Sequence, residues 1–262
     1  MIEDDIQGDL PPGIIRSRET TSEATSEKTE VAENVLPRWD KPSGERRITA
    51  LEPQERHKDR VSIFVDGTFC MGVFADVVAT LGLKVGQTVD ADRLEAMAEA
   101  ETRRKAKEDA YRLLSYRARS RKEIADRLQR KGYTEEIVAE TLQSLSDYGF
   151  VDDTSFAETW VRSRGKTRGK QALAFELRQK GVDRETVRET LSERSNSDEI
   201  GTAHTLAVKR VGESPTDTTP QARAKLAAYL ARRGFNWEIV RAVLADLYGN
   251  VDLDDGFDNA EE

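Results

Sequence analysis

Arg121-Lys122-Glu123-Ile124-Ala125-Asp126-Arg127-Leu128-Gln129-Arg130-Lys131-Gly132-Tyr133 returns in altered form as Lys170-Gln171-Ala172-Leu173-Ala174-Phe175-Glu176-Leu177-Arg178-Gln179-Lys180-Gly181-Val182 and again as Arg223-Ala224-Lys225-Leu226-Ala227-Ala228-Tyr229-Leu230-Ala231-Arg232-Arg233-Gly234-Phe235. Each copy sets an aliphatic residue four positions before Leu, then basic residues, Gly and one apolar residue. Six residues beyond each Gly stands Val138, Val187 or Val240, and four further on Leu142, Leu191 or Leu244. The glycines are 49 and then 53 residues apart, a period that suits a unit of three short helices. Tandem helical units build extended surfaces rather than pockets, and a long basic surface suits a long partner, such as a nucleic acid or a filament.

Working outward, the chain divides by charge. Its 262 residues carry a formal charge of −8, but residues 1–102, 103–195 and 196–262 contribute −9, +6 and −5. The basic character therefore lies in the first two repeats, and local charge is what a polyanion meets. One cysteine, Cys70, leaves no internal disulfide and reads as a small buried hydrophobe in a reducing cytoplasm. No apolar run is long enough to span a membrane, and Met1-Ile2-Glu3-Asp4-Asp5 is acidic where a signal peptide is basic. A soluble, cytoplasmic monomer is expected.

Residues 1–45, rich in Glu, Thr, Ser and Pro, have no apolar period and read as a disordered head. Residues 46–91 read as a small β-rich extension. Ile48-Thr49-Ala50-Leu51-Glu52 and Val61-Ser62-Ile63-Phe64-Val65 are strand-like, and Asp66-Gly67 is a hairpin turn leading into Thr68-Phe69-Cys70-Met71-Gly72-Val73. A short helix is expected over Ala75–Leu81, stopped by Gly82, with a further turn at Gly86. From Asp92 to Ser115 there is neither Gly nor Pro, so residues 92–108 form a connecting helix that runs into the first repeat.

The repeats are assigned to residues 109–155, 156–197 and 198–248, and residues 249–262 to a disordered acidic tail. The fold class is mainly α: three tandem three-helix repeats behind a small extension containing a β-hairpin, with disordered termini. Within the first repeat Ser120 is placed to cap the second helix with Glu123 as its capping-box partner, Gly132 to end it, and Thr134 to cap the third. Asp153 or Thr154 is expected to cap the helix that opens the second repeat. Each unit is expected to expose an apolar face until its neighbour covers it.

Enzymatic chemistry finds no foothold. His57 and His204 have no Cys or His at ligand spacing, and there is no Walker loop, G-x-S-x-G elbow or G-x-G-x-x-G. Asp152-Asp153 suits magnesium or acid–base work, but its place at a helix start favours capping. No cofactor is implied. The basic clusters are more specific: Arg117, Arg119, Arg121 and Lys122 crowd one helix junction, and Arg162, Arg164, Lys166, Arg168 and Lys170 the same junction one repeat later, with Lys131 before the first Gly. They read either as a solvated face or as cations presented to phosphates or an acidic groove. Trp160 and Tyr116 beside them either stack on bases or pack between repeats.

Leu113-Leu114-Ser115-Tyr116-Arg117-Ala118-Arg119-Ser120, with Glu123, Leu128, Lys131-Gly132-Tyr133 and Gly149-Phe150-Val151-Asp152-Asp153, resembles the bacterial regulatory protein RecX family. The likeness runs from about Asp109 to Tyr248. The strand segment ending in Asp66-Gly67, with Gly82-Leu83-Lys84-Val85-Gly86, looks like the amino-terminal extension of some members. The resemblance implies a non-enzymatic modulator of the RecA recombinase that lies along the RecA–DNA filament. It would limit filament growth, strand exchange, ATP hydrolysis and co-protease activity in recombination, repair and the SOS response, and bind single- and double-stranded DNA more weakly. The third repeat departs from the pattern in its few basic residues and its long Pro-containing loop. The other reading is a stand-alone DNA-binding protein acting through the basic junctions.

Overall fold

A computed structural model describes residues 44–249. The disorder expected of the termini falls, but for residues 44, 45 and 249, outside that range. The described residues form a four-stranded sheet and ten helices. Strands β1 (Arg46–Pro53), β2 (Arg60–Val65), β3 (Thr68–Phe74) and β4 (Thr88–Val89) lie antiparallel in the order β3-β2-β1-β4. Asp66 and Gly67 both take positive φ, 50° and 79°, as the tight turn between β2 and β3 requires. The two-residue β4 pairs only with Arg46 and Arg47, too short a run for periodicity to reveal.

Helix α1 (Ala75–Thr80) ends where Gly82 adopts φ 60°. Helix α2 (Ala91–Tyr116) belongs to two cores. Its first half sends Leu94, Met97 and Ala98 onto the sheet beside Ile48, Ile63 and Val73, and its second half gives Ala106 and Ala110 to the first repeat. Glu101 ties the helix to the sheet by accepting from the Phe74 N–H at 2.7 Å and from Arg60 at 2.8 Å.

The first repeat adds α3 (Arg121–Arg130) and α4 (Glu135–Asp147); the second is α5 (Asp153–Arg164), α6 (Lys170–Gln179) and α7 (Arg184–Ser192). The third is α8 (Asn196–Val211), α9 (Pro220–Arg232) and α10 (Trp237–Tyr248). The shared Leu, Gly and apolar signature now has its cause. Gly132, Gly181 and Gly234 sit at φ 88°, 83° and 85°, and the next N–H folds back in each case: Tyr133 to the Leu128 carbonyl, Val182 to Leu177, Phe235 to Leu230. This is the Schellman ending, whose hydrophobic contact explains why both the Leu and the residue after Gly are buried.

Caps largely follow expectation. Ser120 accepts from the Glu123 N–H and Thr134 from the Ile137 N–H. At the head of α5 the cap is Asp152, accepting from Thr154, whereas Asp153, already inside the helix, turns to a neighbouring unit. The expected apolar stacking does not occur. The sheet and the three repeats hold four separate hydrophobic clusters, because helix pairs within each unit already close around their own leucines and valines.

Candidate polyanion interface

What joins the repeats is polar and tight. The Ser120 hydroxyl, wholly buried, donates to the Lys180 carbonyl at 2.6 Å. The Arg121 N–H, first in α3, donates to the Asp153 carboxylate of the second repeat at 2.9 Å. The next joint repeats the device: the Lys170 N–H, first in α6, donates to Glu199 of the third repeat at 2.7 Å, and the Gly169 and Gln171 N–H groups to the Arg233 and Gly234 carbonyls. A helix start carries uncapped N–H groups and partial positive charge, so a carboxylate from the following unit is a natural staple. Burial pushes the Asp153 carboxyl up, against the pull of the Arg121 N–H and guanidinium.

The first joint brings α3, α5 and α6 together around a groove of about 480 Å³. Arg117, Arg119, Lys122, Arg127, Arg130, Arg164 and Lys180 line it, against three carboxylates, Glu123, Asp126 and Glu176. Glu123 is the acid on which two of these cations converge. Arg117 grips it with two nitrogens at 2.9 and 3.0 Å, and Lys180 of the second repeat reaches it at 2.7 Å. Burial works to raise the Glu123 carboxyl, yet hydrogen bonds and charge from Arg117 and Lys180 hold it down to about 2. The capping-box expectation is thus half met: the Ser120 oxygen caps, while the Glu123 side chain crosses to another repeat instead of returning to the Ser120 N–H.

Of the residues singled out in the sequence, the groove gathers Arg117, Arg119, Lys122 and Arg164. Arg121 turns to the Ser146 hydroxyl, and Lys131 pairs at 2.6 Å with the buried Asp109, which also accepts from the Tyr133 hydroxyl. Arg168 pairs with Glu176 at 3.3 Å, and Lys170 stands at the second joint through its backbone. Arg162 and Lys166 are exposed and have no ion-pair partner among the described residues. Trp160 packs: it stacks on Phe156, donates to Glu176 at 2.9 Å, and has Arg164 and Lys180 over its ring at 4.7 and 4.4 Å. Tyr116 is 77% exposed.

Sequence reading by junction missed Arg127, Arg130 and Lys180. A signal was there, since Glu123, Arg127 and Arg130 recur at i, i+4 and i+7 on one helical face. Lys180 is brought in only by the joint, which no local pattern specifies.

Family profiles cover the described units in order: the RecX N-terminal domain matches residues 46–90, and the first, second and third RecX three-helix domains match 106–145, 152–191 and 197–244. A regulatory protein RecX of Clostridium botulinum strain Alaska E43 is 30% identical over 202 residues, 76% of this chain and 95% of the relative. The chain belongs to the RecX family of regulatory proteins.

A RecX of Bacillus licheniformis is 31% identical over 211 residues, 80% of each chain. A crystal structure of regulatory protein RecX matches with a TM-score of 0.64 at 26% identity, over 76% of this chain and 98% of the other. RecX from Lactobacillus salivarius matches with a TM-score of 0.51 at 25% identity, over 56% and 97%. The RecX relatives are named regulatory proteins, and among the described residues no group of His, Cys, Asp and Glu is arranged to hold a metal ion. No described helix is long and apolar enough to cross a membrane.

Proposed function

We propose that this RecX-family chain is a non-enzymatic cytoplasmic regulator of the RecA recombinase. It binds the RecA–DNA filament as a monomer and limits filament growth, ATP hydrolysis, strand exchange and co-protease activity in recombination, repair and the SOS response. The observation that carries this reading is the groove between the first two repeats, where seven cations outnumber three carboxylates on a chain whose total charge is −8. Such local excess attracts a polyanion that the whole chain would repel. The free cations of the second junction, Arg162 and Lys166, extend that surface, and Arg168 and Lys170 lie beside them.

Co-sedimentation tests it. The protein should pellet with RecA filaments assembled on single-stranded DNA with a slowly hydrolysed ATP analogue, and the R127E/R130E variant should stay in the supernatant. Equal pelleting of the two would remove the groove from the interface. The groove also favours a second reading, direct DNA binding independent of RecA. In that case binding to naked DNA would match binding to filaments and weaken steeply with salt in both.

A further inference from the structure

The two joints between repeats are built alike, yet only at the first is the third residue beyond the helix cap an acid: Glu123 follows Ser120, whereas Ala172 follows Gly169. Counting one period of 49 residues from Arg117, Glu123 and Lys131 gives Lys166, Ala172 and Lys180; the residue of the third repeat equivalent to Lys180 is Arg233. At the first joint the cation before the helix, Arg117, and the cation before the next repeat's Gly, Lys180, converge on Glu123. At the second joint the matching cations are Lys166 and Arg233, and the position between them is Ala172, whose Cβ lies where Gly234 comes closest. Among the described residues the Arg233 side chain there reaches the Thr167 carbonyl, at 3.4 Å, and the Tyr229 ring.

We propose that Glu123 is a built-in anion that occupies the phosphate position of the first groove. A nucleic-acid backbone enters by taking Arg117 and Lys180 away from the carboxylate. The geometry suits the exchange. Arg117 grips Glu123 through two nitrogens, the fork by which a guanidinium also holds a phosphate. Arg119, Lys122, Arg127 and Arg130 line the same walls, so a displaced carboxylate leaves the incoming phosphate surrounded by cations. Glu123 is also the side chain that ion-pairs the first repeat to the second, so occupying the groove releases one of the ties between them. Glu123 therefore sets a threshold: weak or isolated anions do not displace it, and a continuous phosphate backbone does. The inference rests on the reading of this groove as a polyanion surface.

The test is fluorescence anisotropy with a labelled single-stranded oligonucleotide over a salt series, comparing the full chain with E123Q and R127E/R130E. Circular dichroism and thermal unfolding confirm that each variant is folded. Glu123→Gln keeps the shape and removes the charge. It should bind about fivefold more tightly at low salt, the scale of one partly exposed ion pair, and its affinity should fall with salt more steeply, by about 0.7 of a unit of log–log slope for each phosphate gained on a single strand. Unchanged or weaker binding by folded E123Q, while R127E/R130E loses binding, overturns the built-in anion and leaves the groove reading intact. Binding by R127E/R130E equal to that of the unaltered chain overturns both.

Discussion

Gly181 and Gly234 each meet two demands at one residue. Each takes a left-handed φ to end its helix, and each lets the preceding repeat come close: a Cβ on Gly181 would lie 2.4 Å from the Lys122 Cβ, and one on Gly234 2.3 Å from the Ala172 nitrogen. Gly234→Ala should therefore cost more than the 1–3 kcal/mol of backbone strain alone. It should also raise hydrogen exchange at the Gln171 N–H, which donates to the Gly234 carbonyl. Protection at Gln171 equal to that of the parent would show that the joint does not depend on this contact. Glu123 makes the second prediction at this scale. Its carboxyl sits at about 2 in the folded chain against an ordinary 4.5, so its ion pairs stabilise the fold above about pH 4.5 and are lost as the pH falls toward 2. Relative to E123Q the parent should be about 1 kcal/mol more stable at pH 7, a figure that allows for solvent screening. That difference should vanish near pH 2, as read from urea midpoints across the range. In the sequence Gly132 reads as a helix terminator, and the repeat sets Gly181 and Gly234 at the equivalent positions. The second role of Gly181 and Gly234 was not legible there, because close approach is a property of two segments far apart in the chain.

At the scale of elements, the common device is a carboxylate from one repeat closing the open helix start of the repeat before. Glu199, 2% exposed, does this for α6, where Gly169 offers no side-chain cap of its own. Glu199→Ala leaves the Lys170 N–H without that partner and should destabilise the chain by about 1–3 kcal/mol. Asp153→Ala should cost less, about 1 kcal/mol, because Ser120 still caps the end of α3. Urea unfolding measures both, and equal losses would mean that the Ser120 cap does not share the task. Helix boundaries in the first repeat were readable from caps, a glycine and the spacing of apolar residues, since those signals act within a few residues. Strand β4 was not, and the choice of Asp152 over Asp153 as the cap of α5 depends on Arg121, 32 residues before Asp153 in the sequence. The basic junctions were found as a charge pattern. Which side chains meet in the groove depended on how the helices dock, and Arg121 and Lys131 turned aside to Ser146 and Asp109.

For the whole molecule, four separate cores, the first two linked through helix α2 and the repeats through polar staples, give a chain of units rather than one continuous core. Such a chain need not unfold in a single step. Trp160 reports on the second repeat and Trp237 on the third. Variants in which Trp160 or Trp237 is the sole tryptophan, Trp39 being replaced in both, should show different denaturant midpoints, and coincident curves would show that the joints couple the repeats as firmly as a shared core. Under the proposed function, separate units in series would lie along a helical filament with the charged groove at the first joint facing it. The most direct test of that central claim is single-stranded-DNA-dependent ATP hydrolysis by the cognate RecA, titrated with this protein and with R127E/R130E. Suppression at amounts well below RecA, lost in the folded variant, is the expected result. Suppression that persists undiminished in the variant, or that appears only when the protein is abundant enough to coat the DNA, would contradict it.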